Sequence, residues 1–249
     1  MTEYPLSAKI DTDHSNMDIS STEVSHQLSF SHIKAAAHFA NLSYQIEDKY
    51  DESKSSSELL DKHRSYVIGS IITAVCYLEA TINEVFTDVE DISSSNEWSP
   101  DVAKKMNEEW DNERGLQLII KYERALCIVK SKSFNRGAEP YQSAASLISL
   151  RNALIHYKPE WVGTGKSYNE TVNERLRQKL EKKIKKLNPM TQEGSLFFPH
   201  RCLGYGCAKW AVESSVKFSD EFFSKIGLPS NLNQDDQLSL KLPEIKPKP

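Results

Sequence analysis

The sequence predicts an all-α protein, a single-domain helical bundle of about six or seven helices. Three observations carry that prediction. Apolar residues recur at three and four positions through most of the chain, the spacing of a helix with one buried face. Only nine glycines occur in 249 residues, too few for the many tight turns of a β architecture. Hydrophobic content of 39% and charged content of 27% describe a globular chain with a polar surface and enough length for one sizeable core.

Residues 1–24 are rich in Ser, Thr and Asp without a period, so a flexible N-terminal arm is expected, with no apolar segment of the kind that opens a secretory signal. An amphipathic helix follows from Val24 to about Asp48. DESKSSS (51–57) reads as a loop, and its SSSE reads as the N-cap of the next helix. That helix runs from about Glu58 to Val89, with Val67, Ile68, Ile71, Val75, Leu78, Ile82, Val85 and Phe86 on its apolar face. Its uncharged run, SYVIGSIITAVCYL (65–78), has 14 residues, short for a bilayer and suited to a buried core.

Ser99-Pro100-Asp101 starts another helix, by the preference for proline at the first helical position. A break is expected at Gly115, before LQLIIKYERALCIVK. After a loop at 131–140, a helix covers 141–157 and stops near Pro159. WVGTGKSYN is a loop, residues 170–187 form a basic helix, PMTQEGSLFFPHRCLGYG is irregular, and Cys207 to Ile226 is the last helix. The domain is expected over 25–228, with a disordered tail over 229–249. Cys76 and Cys127 lie in apolar helical runs, where reduced, buried thiols fit a cytoplasmic, reducing compartment without membrane association.

The chemistry centres on RNALIHY (151–157). On a helical projection of about 100° per residue, Ala144, Leu147, Leu150, Leu154, Ile155 and Tyr157 form an apolar arc. Arg151 falls inside it. A guanidinium there needs an anion, because an unpaired buried charge is very costly. Asn152 and His156 share the opposite, polar side with Ser149. On the long helix, Glu79 borders the apolar arc and Asn83 follows on the same side. Glu79 is therefore the expected bidentate partner of Arg151. If that pair is fully buried, removing Glu79 would cost on the order of 3–5 kcal/mol. The other option is that the arginine is held for an anionic substrate.

RNALIH, with Asn152 directly after Arg151, resembles the signature of the HEPN superfamily (higher eukaryotes and prokaryotes nucleotide-binding): an arginine, four to six residues, then a histidine. YVIGSIITAVCYLEATINEVF resembles that family's long second helix, with its acid at Glu79. The resemblance covers residues 25–226. It implies a helical bundle that dimerises so that two Arg/His pairs line one cleft, and metal-independent cleavage of RNA. Carried over by position, Arg151 would stabilise phosphate charge, His156 would act as general acid and base, and Asn152 would orient His156 or the substrate. One branch of toxins carries a tyrosine two residues after the histidine; here that position is Lys158, and the tyrosine is Tyr157. The family role implied is a toxin or defence effector, with a neutralising or regulatory partner protein. The alternative is a HEPN-like bundle without catalysis, serving as a dimerisation or nucleotide-sensing module of a larger system.

The net charge of −4 excludes a generally basic polymer binder, so RNA contact must come from a local patch. Arg175, Arg177, Lys179, Lys182, Lys183 and Lys186 on the expected basic helix supply one, with Lys158 nearby; a plain solvated face is the competing reading. His200, Cys202 and Cys207 lack a fourth ligand for a zinc site. No phosphate-binding glycine loop is present, so neither metal nor cofactor is expected. Trp161, Trp210, Phe218, Phe222 and Phe223 are expected in the core or at dimer contacts.

Overall fold

The computed structural model describes residues 28–95, 97–112, 117–130, 132–158, 172–192, 194–232 and 239–245. The expected arm over 1–24, the start of the helix at Val24, Gly115 and the whole WVGTGKSYN loop, with Trp161, lie outside them. Among the described residues the chain is all-α, without a strand: α1 (Ser29–Asp48), α2 (Ser57–Thr87), α3 (Val89–Ser94), α4 (Pro100–Asn112), α5 (Leu118–Lys130), α6 (Tyr141–Ile155), α7 (Val172–Leu180) and α8 (Tyr205–Ile226). The helix beyond the expected set is α3, which restarts after α2 ends at Asp88.

The centre is α2, packed against α1, α5, α6 and α8. Ser56 caps it by accepting the Leu59 N–H at 3.2 Å, as the SSSE signal implied. Val67, Ile71, Val75, Leu78, Ile82, Val85 and Phe86 are buried as the periodicity required. By length and composition α2 could cross a membrane; here its apolar face packs against the other helices. Helix α8 is buried on nearly every side, and ends at Gly227 in the left-handed region (φ 85°), whose N–H bonds Phe223 O. Trp210, Phe218, Phe222 and Phe223 are core residues. Tyr122 on α5 packs edge-on against Phe218 and Phe222 and donates its hydroxyl to Leu78 O at 2.6 Å.

Glu47, near the end of α1, ties these helices together. Its carboxylate is buried, and Oε1 accepts from the Tyr205 N–H at 2.6 Å and from His63 Nε2 of α2 at 3.0 Å. Oε2 faces Lys186 Nζ at 3.4 Å as a charge contact without hydrogen-bond geometry. The carboxylate thus satisfies an orphan N–H at the start of α8 from another helix, where the dipole also favours negative charge. The fit depends on glycine: a Cβ on Gly206 would sit 2.1 Å from Lys186 O.

Three expectations are corrected. The basic helix ends at Leu180 rather than running to 187. Asn188 is anchored instead, its N–H on Arg201 O at 2.8 Å and its side-chain amide on Leu203 O at 2.9 Å. These bonds pull the chain across the start of α8, and tertiary anchoring outweighs helix propensity. The tail from Pro229, expected to be disordered, is packed where it is described, over 229–232 and 239–245. Leu232, Leu240 and Leu242 are buried, Asn231 accepts from Tyr77 at 3.0 Å, and Pro243 O accepts from Tyr205 and from Lys209 Nζ. Cys127 is exposed, because α5 buries the Leu118, Tyr122, Ala125 and Leu126 face instead, and Cys76 on α2 is half-buried.

Glu47→Ala strands two buried donors, at about 1–3 kcal/mol each, and should lower the chemical denaturation midpoint accordingly. Gly206→Ala should destabilise without removing any hydrogen bond, because its methyl meets backbone. Both are read by urea unfolding, and wild-type midpoints would show that the α1–α8 junction is not structural.

Candidate functional site

Helix α6 carries the sequence-predicted site. Its start is held by Glu139, whose Oε2 accepts the Ser143 N–H at 3.1 Å and whose Oε1 pairs with Lys183. Burial pushes the Glu139 carboxyl up, but the bonds from Lys183 and Ser143 outweigh it and hold the group below its ordinary value of 4.5. Ala144, Leu147 and Leu150 are buried against α2 and α8.

Arg151 points toward α2 with its side chain 22% exposed. Its Nη2 lies 3.9 Å from Glu79 Oε2, and Glu79 is itself 47% exposed. The expected partner is therefore correct, but the pair is neither bidentate nor buried. Arg151 Nε is buried and has no hydrogen-bond acceptor, so one of the guanidinium's five N–H donors is unmet. Cys76 lies within the electrostatic reach of the pair: burial raises its thiol pKa, Arg151 opposes that and Glu79 adds to it. Asn83 belongs elsewhere. Its Oδ1 accepts from Lys121 Nζ at 3.1 Å, which lies 5.5 Å from the Trp110 ring centroid.

His156 closes α6 as its C-cap residue, donating its backbone N–H to Asn152 O at 2.9 Å. Both side chains are exposed. They line a cavity of about 270 Å³ with Ala153, Tyr157, Lys158, Val172, Leu196, Phe198 and Pro199. The Tyr157 and Phe198 rings stand 6.0 Å apart at 61°. Phe198 is fixed by its N–H bond to Asn173 Oδ1 on α7, at 2.9 Å. Arg151 does not line this cavity; within one protomer it and His156 turn to different neighbours.

The apolar arc also ends differently from its projection. Ile155 and Tyr157, expected in the core, are 50% and 48% exposed: they stand at the C-terminal end of α6, beyond Ala144, Leu147 and Leu150, the positions that α2 and α8 bury. The basic residues divide. Lys183 and Lys186 are tied to Glu139 and Glu47, and Arg177 pairs with Glu174 at 3.2 Å. Arg175 and Lys182 are exposed, and Lys179 Nζ reaches Ser149 Oγ at 3.5 Å. Lys179 and Lys182 border a second, open groove of about 570 Å³ between α6 and α7, with Arg136, Gln142, Ser146 and Ser149.

Cys202 and Cys207 are buried free thiols, and burial pushes the Cys202 pKa up to about 12. Among the described residues no group of three or more His, Cys, Asp or Glu is placed to hold a metal ion. Sequence reasoning missed Phe198 and Leu196, which build half of the His156 cavity; FFP carried no helical or strand period that would have flagged it. No family model matches the chain, and no curated protein or solved structure matches it.

Two outcomes follow from this geometry. Glu79→Ala should cost only about 0–1 kcal/mol, the value of a partly solvated ion pair, and a thermal-unfolding shift reaching the buried-pair range would contradict the open arrangement. Glu139, held below its ordinary carboxyl value, contributes stability above that value and loses it as pH falls through the lowered one. Glu139→Gln should therefore flatten the acid limb of the stability profile, measured by urea midpoints between pH 6 and pH 3.

Proposed function

We propose that the protein is a metal-independent endoribonuclease of the HEPN type, acting as a homodimer. The observation that carries this reading is the under-satisfied guanidinium of Arg151: a buried Nε without an acceptor and one long contact to a half-exposed carboxylate. A purely structural buried pair would be fully bonded, since leaving donors unmade is costly. An anion such as an RNA phosphate supplies the missing acceptors in planar, charge-assisted geometry. His156 and Asn152, exposed at the helix end, are open to the same substrate. The exposed Ile155 beside them supports burial of this end against a second copy, which would bring one protomer's arginine toward the other's histidine.

The chemistry is self-consistent. A neutral His156 takes the proton of a ribose 2′-hydroxyl, and the 2′-oxygen attacks phosphorus. Arg151 stabilises the developing phosphorane charge. The P–O5′ bond then breaks with its electron pair on O5′, which takes a proton from a protonated histidine of the cleft. Imidazole is suited to both transfers near neutral pH. Asn152 orients His156 or the substrate. Service as a cytoplasmic toxin or defence effector, with a neutralising partner, rests on the family resemblance alone.

One observation favours a second reading, a non-catalytic HEPN-like dimerisation or nucleotide-sensing module: Arg151 and His156 diverge within the protomer. Cleavage assays separate the two. The enzyme should cut mixed RNA in EDTA, leaving a 2′,3′-cyclic phosphate and a 5′-hydroxyl. A deoxyribose at the scissile position should block it, because the nucleophile is missing. Arg151→Ala and His156→Ala should abolish cutting while leaving the dimer folded. Wild-type rates in either folded variant, or activity that needs a divalent metal, would overturn the catalytic assignment.

A further inference from the structure

We infer that the cavity between the end of α6 and the Leu196–Pro199 segment is a subsite for one unpaired nucleobase, next to the reacting phosphate. The inference rests on the ribonuclease reading and specifies what part of the substrate His156's neighbours hold. At about 270 Å³ the cavity lies just below the roughly 300–1,000 Å³ of sites that enclose drug-sized ligands. It admits one flat ring system and excludes a helix or a duplex.

Its walls suit a base. Tyr157 is 48% exposed and offers a ring, while Phe198, Val172, Leu196, Ala153 and Pro199 supply an apolar floor. Such a surface accepts the π-face of any base: the exposed Tyr157 ring offers the stack, and the buried Phe198 ring backs it edge-on. The polar groups gather on the α6 side. The Asn152 amide offers both a donor and an acceptor to a base edge, and His156 stands one turn further on.

Lys158 completes the mouth, exposed and without an ion-pair partner among the described residues, so its charge is open to a backbone phosphate. A peptide side chain would use the apolar floor but not this conjunction of amide, imidazole and cation. The rigidity also fits. The backbone of Phe198 is held by Asn173 and that of His156 by the helix terminus, so the two walls of the cavity are anchored. Binding there would place the ribose of the bound nucleotide toward His156.

The test uses the full chain and three probes, AMP, UMP and ribose 5-phosphate, titrated while the His156 and Tyr157 ring resonances are followed by NMR. Both nucleotides should perturb the two rings, and ribose 5-phosphate should bind at least about tenfold more weakly, since stacking is lost. Tyr157→Ala should weaken AMP binding by about tenfold, and Tyr157→Phe should restore it, because the stack needs the ring and not the hydroxyl. Deoxy-AMP should bind the wild-type chain as AMP does, because base and phosphate carry the affinity and the 2′-hydroxyl serves only the chemistry; a wild-type chain that binds both nucleotides yet never cleaves RNA would remove the nuclease reading and leave the subsite standing. Should ribose 5-phosphate match AMP, or folded Tyr157→Ala keep wild-type AMP affinity, the site is one for phosphate only and the subsite is overturned.

Discussion

The carboxylate of Glu47 is the contact on which the arrangement turns. It is buried at the end of α1, accepts from the first N–H of α8 and from His63 of α2, and faces Lys186. Few side chains could do this. A carboxylate alone has the lone pairs to serve an orphan helix N–H and an imidazole together while neutralising a lysine. Because a buried charge is tolerated only when so paired, the contact specifies a relative position of α1, α2 and α8 that apolar packing by itself would leave free to slide.

From that junction the rest of the candidate site inherits its geometry. Lys186 and Asn188 are held across the start of α8, so the chain must leave α7 at Leu180 and return through Leu196–Arg201. The return path lays Phe198 and Pro199 against the C-terminal end of α6. Lys183, caught on the same path, locks the start of α6 through Glu139. Both ends of the helix that carries Arg151 and His156 are thus positioned by a segment whose own course is set elsewhere.

Within that frame, Arg151 is left poorly satisfied while nearly every other buried polar group is bonded; the remaining exceptions among described side chains are Glu47 Oε2, which has its lysine, and Trp98 Nε1. Local inconsistency of this kind in an otherwise consistent core is where function is expected, because folding alone gives no reason to keep it. The contrast with Lys209 is instructive. That lysine is more deeply buried, its side chain 8% exposed against 22% for Arg151, yet it is fully engaged by Pro243 O, Glu213 and Glu244, which reads as structure.

What the sequence determined by itself was the part governed by local periodicity and local chemistry. The α2 core face, the Ser56 cap, the start of α4 at Pro100 and the pairing of Arg151 with Glu79 all follow from spacing along one or two helices. Tertiary structure alone decided the rest. Glu47 looked like one acid among many, since its partners lie 16 and 158 residues away in the chain. The end of α7, the docking of Leu240 and Leu242, and the second wall of the His156 cavity were set by contacts of the same long range. A projection of α6 could place Ile155 and Tyr157 on an apolar arc, but not reveal that among the described residues the packing leaves both about half exposed. Periodicity reports which face of a helix is apolar; only packing determines where along that face the cover ends.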